Sequence, residues 1–111
     1  MKAENIYQNE AFSLIAGKDG LCKEFTGIYT GDLLSFVMSR ASQGDAWITV
    51  MGSINTAAVA SLTDVCCIIL AENAAADKML IEKANDEDIP LFKSKKTAVE
   101  IIFILNDILK S

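Results

Sequence analysis

The chain has no histidine at all among its 111 residues. That removes the commonest general acid-base group and the commonest metal ligand, and with them most hydrolase and zinc hypotheses. Cysteine does not fill the gap. There are three, an odd number, with Cys22 alone and Cys66 and Cys67 adjacent, so neither a disulfide framework nor a zinc site is expected. In a strand the adjacent pair would point to opposite faces and act as small buried hydrophobes. Neither GxxxxGK[ST] nor GxGxxG occurs, which leaves no standard phosphate loop for kinase or dehydrogenase chemistry. Basic residues are also scarce: 10 lysines and arginines stand against 15 acids, a formal charge of −5. With no dense basic stripe, nucleic acid and acidic lipid surfaces are poor partners. The opening MKAENIYQNE holds no apolar signal segment, and the longest apolar run is broken by Glu100, Asn106 and Asp107. It falls short of the ~20 residues a membrane span needs. A cytoplasmic protein that makes no membrane contact is the expectation.

With 51% apolar and 23% charged residues and a single proline, the chain reads as one compact domain over 1–111 that buries roughly 65% of its unfolded surface. A short amphipathic helix (Ala3 to Glu10) leads to a buried strand, Phe12 to Ala16, closed by the turn Gly17 to Gly20. A second strand spans Phe25 to Tyr29. The spacing of Leu33, Leu34, Phe36, Val37, Met38 and Ala41 predicts a helix over Asp32 to Ser42. Ala46 to Met51 is apolar or β-branched on both alternating sets, as a central strand covered on both sides should be. The small residues of Asn55 to Thr63 suit a helix lying close on a sheet, and Val65 to Leu70 is the next strand. A polar helix (Asp77 to Asp86), a short strand (Ile89 to Phe92) and a last helix started by a Thr97/Glu100 capping box complete the chain. This alternation predicts an α/β fold: a three-layer α/β/α sandwich with a mainly parallel sheet of about five strands.

Ligand sites in such folds lie where strands hand over to helices. Two polar turns fit, YTGD (29–32) and MGSINT (51–56). Asp32 reads either as a ligand-orienting carboxylate or as a helix N-terminal acceptor of backbone N–H bonds. Ser53, Asn55 and Thr56 offer uncharged polar groups around free N–H donors, suited to an anion or to capping alone. Lys93, Lys95 and Lys96 precede the last helix, where positive charge opposes the helix dipole; they read as a solvated loop, or as a site for an acidic partner or phosphate. On that helix Phe103 falls in the middle of the polar face, and Ile102 and its apolar neighbours cover most of the remaining circumference. Such a helix calls for burial outside the monomer, against a second subunit.

The segments IYTGDLLSFVM (28–38), WITVMGSINTAAVASLTDVCCIIL (47–70) and IEKANDEDIPLF (81–92) resemble the DRTGG domain family. The resemblance implies a non-catalytic α/β/α sandwich that often dimerises, similar in fold to the N-terminal domain of HPr kinase/phosphorylase. The family's Asp-Arg pair falls here on Ser53-Ile54, and its Thr-Gly-Gly on Ala71-Glu72-Asn73, so the arginine fork that would clamp an anion is missing. The expected function is a non-catalytic regulatory or interaction module, a homodimer touching through Phe103 and Ile102 or an exposed sheet edge, with a protein partner possible. The alternative is a sensor of a nucleotide or other small anionic phosphorylated metabolite, bound at Asp32, Ser53, Asn55 and Thr56. No cofactor or metal is expected. An enzyme using Asp32 as its base would need a second catalytic group at a suitable spacing, and none is present.

Overall fold

Short runs of apolar and β-branched residues, flanked by glycine and acidic turns, set the strands of this domain. In the computed structural model, which describes residues 1–111, β1 (Ser13–Ala16), β2 (Gly27–Thr30), β3 (Asp45–Thr49), β4 (Cys67–Leu70) and β5 (Leu91–Lys93) form one sheet. Its order is β1-β5-β4-β3-β2. The strands β2 to β5 run parallel, and β1 joins the edge antiparallel to β5 with a register shift between Leu14 and Ala16. Trp47 pairs with Tyr29 on one side and Ile68 on the other, and Ile48 with Thr30 and Ile69.

Five helices cover the sheet: α1 (Ala3–Tyr7), α2 (Leu34–Arg40), α3 (Ile54–Thr63), α4 (Lys78–Asp86) and α5 (Ala98–Lys110). From β2 the chain steps to β3, β4 and β5 in one direction, one strand at a time. Same-handed crossovers stepping one way must put their helices on one face. Accordingly Val37 of α2, Ala57 and Ala60 of α3, and Leu80 and Ala84 of α4 share a core with Trp47, Ile68, Leu70 and Leu91. The other face packs Ala46, Ile48, Cys67, Ile69 and Phe92 against Ala3 and Ile6 of α1 and Ile101 and Leu105 of α5. The three-layer sandwich is thus assembled from alternate residues of the same strands. Each fully buried Ile, Leu or Phe contributes about 1.5–3 kcal/mol. Trp47 is wholly buried, and its indole N–H donates to the Gly31 carbonyl at 2.9 Å, so the ring carries no unmet donor into the core.

Several expected details differ. The first helix stops at Tyr7, because the Asn9 side chain accepts the Ala11 amide at 2.9 Å and turns the chain toward β1. The last strand begins at Leu91, since Pro90 has no N–H to give the ladder although its carbonyl accepts from Ile68. As expected, β3 is an interior strand buried on both faces, while the middle place in the sheet belongs to β4, every residue of it buried. Cys66 sits in a bend before β4, so strand alternation does not reach it, and both thiols join the same core. Burial, reinforced by a side-chain hydrogen bond with Cys66, pushes the Cys67 thiol pKa well up.

A cleft where neighbouring strands part company

The parallel strands differ in where their chain goes next. After β2, β3 and β4 it climbs onto the face of α2, α3 and α4, but after β5 it crosses to the opposite face as α5. Between β4 and β5 the two exits diverge, and a crevice must open at their carboxyl ends, the position where open α/β sheets hold ligands. A cleft of about 450 Å³ lies there. One wall runs from Lys93, the last residue of β5, to Lys96. Asn73, in the loop after β4, forms the second, and Glu10 with Ser13, the first residue of β1, the third.

Backbone hydrogen bonds fix the loops that build it. The Ser94 amide donates to Leu70 at 2.9 Å, the Asn73 amide to the Ser94 carbonyl at 2.8 Å, and the Glu72 amide to the Lys96 carbonyl at 2.9 Å. Ser94 is buried, and its hydroxyl accepts the Lys96 amide at 3.2 Å. Glu72 and Asn73 both take the left-handed conformation, at φ 54° and 57°. The sequence resemblance sets the two glycines of the DRTGG pattern at these positions, and glycine is the residue type that adopts this conformation at least cost. Beyond the lysines, α5 starts at the expected capping box. The Thr97 amide donates to the Glu100 carboxylate at 3.0 Å, and the Glu100 amide to the Thr97 hydroxyl at 3.3 Å. Bonds from the Thr97 backbone, then from its hydroxyl, with Lys96 nearby, hold the Glu100 pKa below its ordinary value.

The cleft is electropositive in a chain that is acidic overall. Three of its ten cationic side chains stand within four residues, and none of them is in an ion pair. The ion pairs of the chain are Lys23–Asp64, Lys78–Glu82 and Lys83–Glu87.

The residues singled out in the sequence lie elsewhere, at the ends of β2 and β3, where both exits rise onto the same face. Asp32 does not cap its own helix, which begins at Leu34 with Leu33 at the N-cap. Its Oδ1 instead accepts the Thr49 hydroxyl at 2.7 Å and the Val50 amide at 2.9 Å, clasping the end of β3. Thr56 is buried and donates to the Met51 carbonyl at 2.7 Å. Ser53 is the N-cap of α3 but makes no capping bond through its side chain, and Asn55 is exposed. At the foot of this turn Gly52 lies so close to Ala75 that any Cβ would run into the Ala75 carbonyl oxygen, which sets the spacing of the loops after β3 and β4. Phe103 is 67% exposed and Ile102 half-buried. Sequence reasoning had registered Lys93, Lys95 and Lys96, but nothing in the sequence marked Asn73, Ser13 or Glu10 as their neighbours.

His, Cys, Asp and Glu nowhere gather in a group of three that could hold a metal ion. No helix is long and apolar enough to cross a membrane.

Comparison with known proteins places these features in a family context. No curated protein matches the chain. Among solved structures, the CBS and DRTGG domains of the regulatory region of Clostridium perfringens pyrophosphatase, complexed with the activator diadenosine tetraphosphate, superpose with a TM-score of 0.71 at 14% identity. The match covers 96% of this chain and 46% of that one, so the chain spans just under half of that regulatory fragment. At such identity the likeness is one of fold. The family model described as the HPr Serine kinase N terminus matches residues 55–109, from α3 through α5. The chain thus has the fold of that CBS and DRTGG region and, over residues 55–109, is similar to the HPr Serine kinase N terminus.

Proposed function

We propose that this domain is a non-catalytic regulatory module that works by association, pairing with a second copy of itself over α5. The observation that carries this is the outer face of that helix, where Val99 and Phe103, one turn apart, are 61% and 67% exposed. Ile102 and Asn106 are half-buried beside them. Large apolar side chains aligned at i and i+4 form a stripe, which scattered surface residues do not. The stripe also has charge of both signs in the right places. Glu100 lies near the amino end and Lys110 at the carboxyl end, so antiparallel pairing about Phe103 and Asn106 brings Lys110 of the partner subunit toward Glu100. The test is the mass of the free protein by analytical ultracentrifugation. A dimer that becomes a monomer on Phe103→Glu, with an unchanged circular dichroism spectrum, is expected. A mass the substitution leaves unaltered would sink the helix contact.

The cleft favours a second reading, a small-molecule sensor. The turns at Asp32 and Ser53 to Thr56 remain candidates for its site, but two of those four side chains already make internal bonds. A thermal-shift screen of nucleotides, dinucleotides and sugar phosphates tests this reading. A ligand at 100 times its dissociation constant adds about 2.7 kcal/mol, a plain shift for a domain of this size. Loss of that shift in Asn55→Ala would place the ligand at the turn, and its retention would place it elsewhere.

A further inference from the structure

We infer that the cleft between β4 and β5 is a binding site for a phosphate-bearing small molecule, held by Lys93, Lys95 and Lys96. The inference rests on the sensor reading and specifies its site and ligand class; it does not depend on pairing over α5.

Charge comes first. Three of the ten cationic side chains of an acidic chain gather at this one cavity. They are not among the three lysines that form ion pairs, even though Glu10 lines the same cavity. Ammonium groups held side by side repel each other, and an anion placed among them removes that repulsion. The second argument is preorganisation. The lysine loop is not a free solvated strand: Ser94 is buried and its amide, carbonyl and hydroxyl are all engaged, and Lys96 is tied by its carbonyl to Glu72. A ligand there meets a fixed backbone and orders only lysine side chains, which keeps the entropic cost of binding low. Size is the third. A volume of about 450 Å³ falls within the ~300–1,000 Å³ of small-molecule pockets and exceeds what an isolated inorganic anion requires.

The lining also divides the ligand into two ends. Lysines gather on the β5 side and suit phosphate oxygens. Ser13 and the Asn73 side chain on the opposite walls can donate or accept, and the Glu10 carboxylate accepts only. A phosphorylated metabolite whose organic body carries hydroxyl or amino donors satisfies both ends. A bare polyanion satisfies the first and is opposed by Glu10.

The experiment is a titration of the isotope-labelled protein with inorganic pyrophosphate, and separately with adenosine 5′-diphosphate, into the millimolar range, followed by amide chemical shifts. Saturable shifts centred on Asn73 and on residues 93 to 96 are expected with both probes. Lys95→Gln with Lys96→Gln should weaken binding by about tenfold per lysine removed, as loss of one charge-assisted contact does. The matched pair Lys78→Gln with Lys83→Gln on α4 should change it by less than about twofold. Glu10→Gln should tighten pyrophosphate. Equal weakening by the two lysine pairs would reduce the effect to general charge attraction and overturn the inference. So would an absence of saturable shifts at the cleft. If the thermal-shift screen nevertheless finds a ligand without phosphate, the sensor reading survives and this assignment of its site and ligand class falls.

Discussion

Replacing Asp32 by alanine separates a structural carboxylate from a ligand-binding one. In the structure one oxygen of Asp32 holds two donors, the Thr49 hydroxyl at 2.7 Å and the Val50 amide at 2.9 Å. A hydrogen bond to an ionised group contributes about 1.5–3 kcal/mol when its partner cannot turn to water. Thr49 is only 2% exposed, so its hydroxyl loses its acceptor outright. Val50 is 43% exposed, and its amide recovers a water. The loss expected for Asp32→Ala is therefore about 2–3 kcal/mol rather than the sum of two full bonds. At roughly 4 °C per kcal/mol for a chain near this length, the melting temperature should fall by about 10 °C. The assay is urea unfolding of four proteins, wild type, Asp32→Ala, Thr49→Val and the double variant, with Asp19→Ala as a control for removing one exposed negative charge. A coupling of about 1–2 kcal/mol between positions 32 and 49 is expected from the cycle. A loss under about 0.5 kcal/mol, the ordinary range of an exposed substitution, would refute the clasp and return Asp32 to the list of residues free to bind a ligand.

Glu72→Gly should stabilise the domain by about 0.5–1 kcal/mol in the same assay, because a left-handed backbone costs a side-chain-bearing residue about 1–2 kcal/mol and glycine gives back part of that gain in unfolded-chain entropy. Acid unfolding should show the lowered pKa of Glu100: its contribution is complete above the ordinary value of 4.5 and lost as pH falls through the lower folded value. Glu100→Gln keeps the capping box and should flatten that part of the stability profile, and an unchanged acid limb would count against it. Of the three thiols only Cys22 is exposed. Iodoacetamide should therefore modify Cys22 in the native protein and spare Cys66 and Cys67 until it unfolds, which peptide mass mapping would reveal.

Much of the fold could be read from the chain because its rules are local. The capping box at Thr97 and Glu100 needs only two residue types three positions apart, and it forms as expected. Strands such as Cys67–Leu70, apolar on both faces, declare that helices lie on both sides. Short connections between alternating strands and helices then leave little besides a parallel sheet. The failures came where a distant or competing group decides. In sequence Asp32 reads as a ligand-orienting carboxylate or as a cap of the helix that follows; it does not cap that helix, and the donors it serves belong to Thr49 and Val50, on and just after the strand next door. Cys66 was given strand alternation, yet the strand starts one residue later.

The cleft was illegible for a different reason. A switch point is a property of strand order, and strand order is settled by which elements fit together in space. In this chain β1 adds to the outer edge of β5, antiparallel, and α5 covers the face that α2, α3 and α4 leave open. Only then do Glu10 and Ser13, more than 80 residues before Lys95 in the chain, stand across a cavity from it. The turns at Asp32 and Ser53 looked equivalent to the exit from β5, since each is a polar turn before an apolar helix. They differ in what the neighbouring strand does: beside β3 the next exit goes the same way, beside β5 it goes the other. Sites in such folds follow from the divergence of two neighbouring connections rather than from the chemistry of one turn. That is why a loop of lysines in an acidic chain, which in sequence reads first as a solvated loop, becomes the candidate site once the sheet is ordered.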